Sequence, residues 1–267
     1  MGEEGKVALP LLFDTQVLFI RSLKKLVRTP ILLFFSLFQP IIFLVLFTQL
    51  FSSVGPLFTQ SAGLTGVTYL SFATPGIVLQ NGFSSALQSG TSVVDDLNSG
   101  FLEKELVTPV DRSAILLGRL LSDAFRVVVQ SAIILLLAFA LGAQIATGIP
   151  GVILIFVLVA FFGLAWSGIS LTIGLRTKSA ETVFGFGGLL TFPLLFMSTA
   201  LVPVKLMPSW MQEVSNVNPI SFTVDAVRAL TLTGYDWAKI LEAFGVIALI
   251  AVLTLGATLY LFRKVVS

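Results

Sequence analysis

The stretch "SGFLEKELVTPVDRSAILLGR", residues 99–119, gathers Glu103, Lys104, Glu105, Asp111, Arg112 and Arg119 around Pro109 in a chain where charge is scarce. Of the 267 residues, 56% are hydrophobic and only 11% are charged, and the mean hydropathy is +0.99. Soluble domains carry about a quarter charged residues, so composition alone predicts a membrane protein. A charged island in such a chain must sit between spans, and its position sets the count on either side.

Outward from the island, the uncharged intervals define the spans. Sixty-six uncharged residues separate Arg28 from Asp95. One helical crossing needs about 20 residues, so this interval predicts two helices, near 30–51 and 67–89. The stretch between them, "SSVGPLFTQSAGLTG" (52–66), is rich in turn residues and reads as a loop. The 49 uncharged residues from Val127 to Leu175 predict two more helices, turning at "GAQIATGIPG" (142–151). Thr182–Val204 and Ala243–Phe262 each predict one. The sum is six transmembrane helices in an all-α integral membrane fold.

An even number of spans places both termini on one side. Thirteen of the 16 lysines and arginines then lie on the terminal side, and only Lys205, Arg228 and Lys239 lie opposite. The positive-inside rule makes the terminal side cytoplasmic. The first apolar run begins near residue 30, behind an acidic-then-basic leader, and reads as a retained span rather than a cleaved signal. The domain plan is one transmembrane unit over 1–267. It comprises a leader (1–29), spans one and two (30–91), a cytoplasmic loop holding the charged island (92–121), spans three to five (122–204), an outer segment (205–238), and a last span with its tail (239–267).

The leader is amphipathic at helical period. At about 100° per residue, Asp14, Arg21, Lys24, Lys25 and Arg28 share one face, opposite Leu12, Phe19, Leu23, Leu26 and Val27. Such a basic helix is expected to lie in the cytoplasmic interface against membrane lipids. The outer segment is too polar for a span and too apolar for a free loop. Asn218–Pro219 reads as a helix start, with Asn as cap and Pro at the first helical position. Asp225 and Arg228 are spaced to pair on that helix, and Gly234 is placed to end it. A second short helix starts at Pro208, with Trp210 as an interfacial anchor. Together they predict a re-entrant outer hairpin before the last span.

The second span carries Gln80, Asn81 and Gln88, and the first carries Phe34 and Phe38. These are candidate path-lining residues, although polar residues within a membrane serve helix packing equally well. No ionisable side chain is expected in the middle of a span. The chain has no cysteine and no histidine, which removes thiol chemistry and the commonest metal ligand. It also lacks a G-x-x-x-x-G-K-S/T phosphate loop, so any ATP it depends on is hydrolysed by another chain. A net charge of +2 gives no reason to expect nucleic acid.

"GFLEKELVTPVDRSAILLGRLLSD" (100–123) and "NPISFTVDAVRAL" (218–230), set in this six-span plan, resemble the permeases of type-2 ABC exporters. The likeness is closest to the daunorubicin-resistance-like branch and covers essentially the whole chain. It implies a non-enzymatic transport subunit of the inner (plasma) membrane that pairs with a second permease copy, identical or closely related. It also implies cytoplasmic ABC ATPase subunits that bind the ATP and magnesium, with no cofactor in this chain. On that resemblance the island is a coupling helix. Glu103, Lys104 and Glu105 face the ATPase with Arg112 beside them, and Thr108–Pro109 turn the chain back to the membrane. Asp111 departs from the small or neutral residue common there. The cargo expected is an amphiphilic drug, lipid or glycan. An ATP-independent six-span carrier or channel is the alternative.

Overall fold

The structure is a computed structural model describing residues 13–21, 24, 30–101 and 112–266. Among the described residues every regular element is helical. Residues 13–21 form α1. The succeeding helices are α2 (Pro30–Leu50), α3 (Gly55–Ser61), α4 (Tyr69–Asn98), α5 (Arg112–Ala140), α6 (Gly148–Thr177) and α7 (Ala180–Phe196). Next come α8 (Ser209–Val217), α9 (Pro219–Arg228) with a π-helical turn over Ala229–Thr233, and α10 (Trp237–Val266).

The helix ends follow local chemistry. Thr68, extended at φ −77° and ψ 154°, accepts a hydrogen bond from the Ser71 amide at 3.3 Å and so caps α4. Lys178 stops α6 by turning left-handed, with φ 52°, and its amide returns to the Gly174 carbonyl at 2.8 Å. The next residue, Ser179, caps α7 by accepting from the Thr182 amide at 3.1 Å.

Helix α4 is the axis of the bundle, with 22 of its 30 residues buried. It packs against α2, α5, α6 and α7, and glycines set the spacing. A Cβ on Gly90 would lie 2.6 Å from the Ser170 carbonyl oxygen of α6, and one on Gly174 would lie 2.7 Å from the Gly90 carbonyl oxygen. Only bare backbone permits that approach. On its other flank α6 meets α10 through hydroxyls. Thr254 donates to the Ala165 carbonyl at 3.0 Å and Thr258 to the Gly168 carbonyl at 2.9 Å.

The contacts define two ends of the bundle. At one end Tyr69 of α4 donates to the Leu201 carbonyl at 3.2 Å, and Thr147, just before α6, donates to the Leu230 carbonyl at 2.6 Å. Helices α8 and α9 sit at this end. At the other end Val93 and Val94 of α4 pack with Ile115 and Leu120 of α5, Leu171 and Leu175 of α6, Val183 of α7 and Phe262 of α10. The two ends of α4, 29 residues apart, are separated by about 44 Å at 1.5 Å per residue.

Among the described residues, three helices are individually long and apolar enough to cross a membrane: Ser113–Ala140, Gly148–Thr177 and Trp237–Phe262. A fourth crossing exists if α2 and α3, bent by 96°, are taken as one broken span. Helix α7 is apolar but has 17 residues. Helix α4 matches the others in length, yet burial among its neighbours allows it Gln80, Asn81 and Ser85, because little of it faces lipid. The six expected spans are therefore not all recognisable by length and apolarity.

Two sequence expectations need correction. The segment 52–66, expected as a loop, contains helix α3, fastened by contacts of Phe58 with Phe51 at 5.5 Å and with Tyr69 at 5.6 Å. Helix α5 covers Arg112–Ala140, so Arg119, expected in the loop over 92–121, belongs to the helix together with Asp123 and Arg126. Asp123 and Arg126 lie at the middle of α5, where no ionisable group was expected. Each is matched by a partner across the helix interface, as described below.

Candidate functional site

Among the described residues Asn98 ends α4 and Arg112 begins α5, both at the bundle end away from α8 and α9. Glu103, Lys104, Glu105, Thr108 and Pro109 lie outside the described residues, and Arg112 opens α5. The two stems of the island are tied together, because Arg119 of α5 forms an ion pair with Asp96 of α4. Helix α1 packs on the same region. A Cβ on Gly118 would meet the Leu18 Cβ at 2.8 Å, Phe19 meets Phe125 edge-on at 5.9 Å, and the Arg21 guanidinium lies 4.6 Å from the Phe101 ring centre. Phe13, Val17 and Ile20 face outward, one helical stripe of apolar surface. Phe19, expected on the face opposite the charges, is thus partly covered by α5.

Farther into the bundle lies a polar group that the uncharged-interval reading misses. Asp123 accepts from the Ser89 hydroxyl and from Arg126 at 2.8 Å. Arg126 also donates through Nε to Ser85 Oγ at 2.9 Å and through a terminal nitrogen to the Ser85 carbonyl at 3.0 Å. The signal was present in the sequence as an i,i+3 acid–base pair facing two serines spaced i,i+4 on the preceding helix. Gln80 and Asn81 are buried in α4, and neither amide atom of Asn81 has a hydrogen-bond partner among the described residues. Gln88 is partly buried on the same helix. Phe34 and Phe38, with ring centres 5.8 Å apart, are exposed on α2. The polar and aromatic candidates are thus on different helices and in different environments.

The hairpin residues converge. Asn218 caps α9 by accepting from the Ile220 amide at 3.0 Å, and its amide nitrogen donates to the Leu194 carbonyl at 2.7 Å. Pro219 is the first helical residue. Arg228 pairs with Asp225 at 2.9 Å, as the spacing predicts. It also donates to the Thr199 carbonyl at 2.6 Å, the Ala200 carbonyl at 3.3 Å and the Phe72 carbonyl at 3.3 Å. Its guanidinium stands 4.0 Å from the centre of the Phe72 ring. Asp225 takes a second hydrogen bond, at 2.8 Å from the Thr199 hydroxyl. Arg228 therefore locks α9 to α4 and to the turn after α7. Gly234 ends the π-helical turn with φ 120°, as expected of it.

Above this lock is a cavity of about 260 Å³, bounded by α3, α4, the segment after α7, the π-helical turn and the first turn of α10. Arg228 and Asp225 line it, together with Lys205 and Lys239. Lys239 pairs with Asp236 at 3.3 Å, and hydrogen bonds from the Lys239 backbone and side chain hold the Asp236 carboxyl below its usual pKa.

The sequence of the chain is similar to those of transport proteins. A family model described as ABC-2 type transporter matches residues 14–232. The daunorubicin resistance ABC transporter permease protein DrrB1 of Streptomyces coeruleorubidus is 32% identical over 239 residues, spanning 88% of this chain and 82% of that protein. A putative transport permease, ycf38, of Cyanophora paradoxa is 31% identical over 238 residues, spanning 86% and 79%. The probable doxorubicin resistance ABC transporter permease protein DrrC of Mycobacterium tuberculosis is 28% identical over 219 residues, spanning 80% and 75%.

Proposed function

The chain belongs to the ABC-2 type transporter family, and we propose that it is the membrane-spanning permease subunit of an ATP-driven exporter. In this reading α2, α4, α5, α6, α7 and α10 are six crossings of the cell inner membrane, both termini are cytoplasmic, and α8 and α9 form a re-entrant outer hairpin. ATP and magnesium are bound by a separate cytoplasmic ATPase, which this chain meets through Glu103, Lys104, Glu105 and Arg112, with Thr108–Pro109 ending the contact helix. Two copies, or this chain and a close relative, enclose the path. The cargo is an amphiphilic drug, lipid or glycan, and Phe34, Phe38, Gln80, Asn81 and Gln88 are the residues assigned to its route.

The observation that carries this reading is the position of the island. Residues 98 and 112 emerge at the end of the bundle away from the hairpin, where α4 and α5 are bound by Arg119 and Asp96. A push on the island is transmitted directly to two long helices, one of them the buried axis. Coupling requires such an element, whose arrangement a partner can bias.

One observation favours the alternative of an ATP-independent carrier or channel, namely the charged pair midway along α5. That pair is engaged with Ser85 and Ser89, however, which suits a helix clamp better than a proton carrier. The test is co-purification of the tagged chain from native membranes, followed by transport assays of E103A/R112A. Retention of an ATPase, and transport lost in the double variant while it still reaches the membrane, support the exporter. Transport that continues without any ATPase supports the carrier.

A further inference from the structure

The cavity at the hairpin end collects an unusual share of the chain's charge. Thirteen of 16 cations lie on the island side in the six-span reading, and the remaining three are Lys205, Arg228 and Lys239. All three line this one cavity. They fall within 35 residues of sequence but come from three elements: the segment after α7, α9 and the first turn of α10. A membrane protein depleted of cations on one side has therefore folded every one of them around the same space.

The nearby carboxylates do not cancel them. Asp225 is committed to Arg228 and the Thr199 hydroxyl, and Asp236 is committed to Lys239. Three cations thus face two carboxylates, leaving a net positive cavity, and Lys205 is exposed. The remaining wall sets an apolar part, with Leu64, Phe72, Pro203 and Val204, beside the hydroxyls of Ser61, Thr199 and Thr233. The π-helical turn Ala229–Thr233 contributes the edge between the two, and π turns concentrate at functional sites. A volume of about 260 Å³ falls below the roughly 300–1,000 Å³ of drug-sized pockets. It suits a headgroup, with the apolar wall receiving the first carbons of a chain.

We propose that this cavity is an anion site that takes a phosphate or carboxylate group, held by Lys205 and Lys239 over the Arg228 lock. The anion is carried by an amphiphile's headgroup or is a free ion. Arg228 contributes its field while its hydrogen bonds stay with the protein. The site rests on the chain being membrane-embedded and does not depend on an ATPase partner.

The experiment measures thermal unfolding of the full chain purified in neutral detergent, titrated with dioctanoyl phosphatidylglycerol, dioctanoyl phosphatidylcholine or inorganic phosphate. A ligand that binds the folded state alone raises the midpoint with concentration. The expected result is a rise with phosphatidylglycerol and none with phosphatidylcholine. K205Q/K239Q should need at least tenfold more lipid for the same rise, while its ligand-free midpoint stays at the wild-type value. K205R/K239R should retain the response. A rise with phosphatidylglycerol but not with inorganic phosphate assigns the headgroup as the source, and a rise with phosphate alone assigns a free ion. No rise with either anion, an equal rise with phosphatidylcholine, or an undiminished rise in K205Q/K239Q overturns the site. Because none of these readouts involves an ATPase, failure here is separate from failure of the exporter reading. The orientation is checked independently by labelling K205C in intact cells with an impermeant thiol reagent, since the chain has no native cysteine.

Discussion

Arg126 Nε donates to Ser85 Oγ at 2.9 Å across 41 residues of sequence, fastening the midpoint of α5 to α4. The same guanidinium holds Asp123 at 2.8 Å, and Asp123 in turn accepts from Ser89. The side chains of Arg126 and Asp123 are 13% and 10% exposed. Water cannot replace the partners in that setting, so each member depends on the others.

Arg126→Leu should therefore cost more than a surface ion pair is worth. It leaves the buried Asp123 charge with Ser89 as its hydrogen-bond donor and the Arg119 charge nearby, and breaking a buried pair from one side costs about 3–5 kcal/mol. D123L/R126L removes both charges and should recover much of that loss. The measurement is the midpoint of heat-induced aggregation of a fluorescent fusion, followed by size-exclusion chromatography. Equal loss in the single and double variants would show that the pair acts independently of its charge balance.

Gly90→Ala should open the α4–α6 contact. The added methyl meets the Ser170 carbonyl oxygen at 2.6 Å and the Ser170 hydroxyl at 2.1 Å, and the first of these is backbone that cannot rotate away. Overpacking of this kind costs about 1–3 kcal/mol. Gly245→Ala, whose methyl meets nothing within 4 Å, is the control and should leave the midpoint unchanged or raise it. The same thermal assay compares the two.

The sequence carried the hairpin in detail and the bundle in outline. Asn218–Pro219, the Asp225–Arg228 pair and Gly234 were readable because each follows from chemistry within a few residues. Helix α3 was not, since its Gly, Pro and Ser composition matches a turn, and its helical state depends on Phe51 and Tyr69 packing around Phe58. The charges within α5 were missed for a related reason. Charge interrupts an apolar run wherever it occurs, whereas a helix continues through Asp123 and Arg126 once Ser85 and Ser89 satisfy them. The cavity was equally hidden, because Lys205, Arg228 and Lys239 meet only through tertiary structure.

Thr258→Val should weaken the α6–α10 seam by a small, measurable amount. The hydroxyl donates to the Gly168 carbonyl at 2.9 Å and lies 2.9 Å from the Thr172 hydroxyl, while valine keeps the shape. Interhelical hydrogen bonds in membranes average about 0.6 kcal/mol, so the loss should be well below that of Arg126→Leu. Adding Thr254→Val, which removes the 3.0 Å bond to the Ala165 carbonyl, should roughly double it. A loss above about 2 kcal/mol for Thr258→Val alone would exceed the range measured for such bonds and would point to a role beyond this seam.

Asn218 has two tasks that substitution can separate. Its oxygen caps α9 through the Ile220 amide at 3.0 Å, and its nitrogen satisfies the Leu194 carbonyl at 2.7 Å, two residues before the end of α7. Asn218→Asp keeps the cap but turns the donor into a second acceptor facing a carbonyl, whereas Asn218→Ala removes both. Loss of an N-cap costs about 0.5–2 kcal/mol, and a buried acceptor left without its donor adds about 1–3 kcal/mol. Asn218→Ala should thus lower stability by roughly 1.5–5 kcal/mol on those terms. Asn218→Ser, which caps without reaching for Leu194, isolates the second task and should fall between wild type and Asn218→Ala. If the serine variant instead matches Asn218→Ala in the thermal assay, the link to α7 carries the residue's whole contribution and the cap carries none.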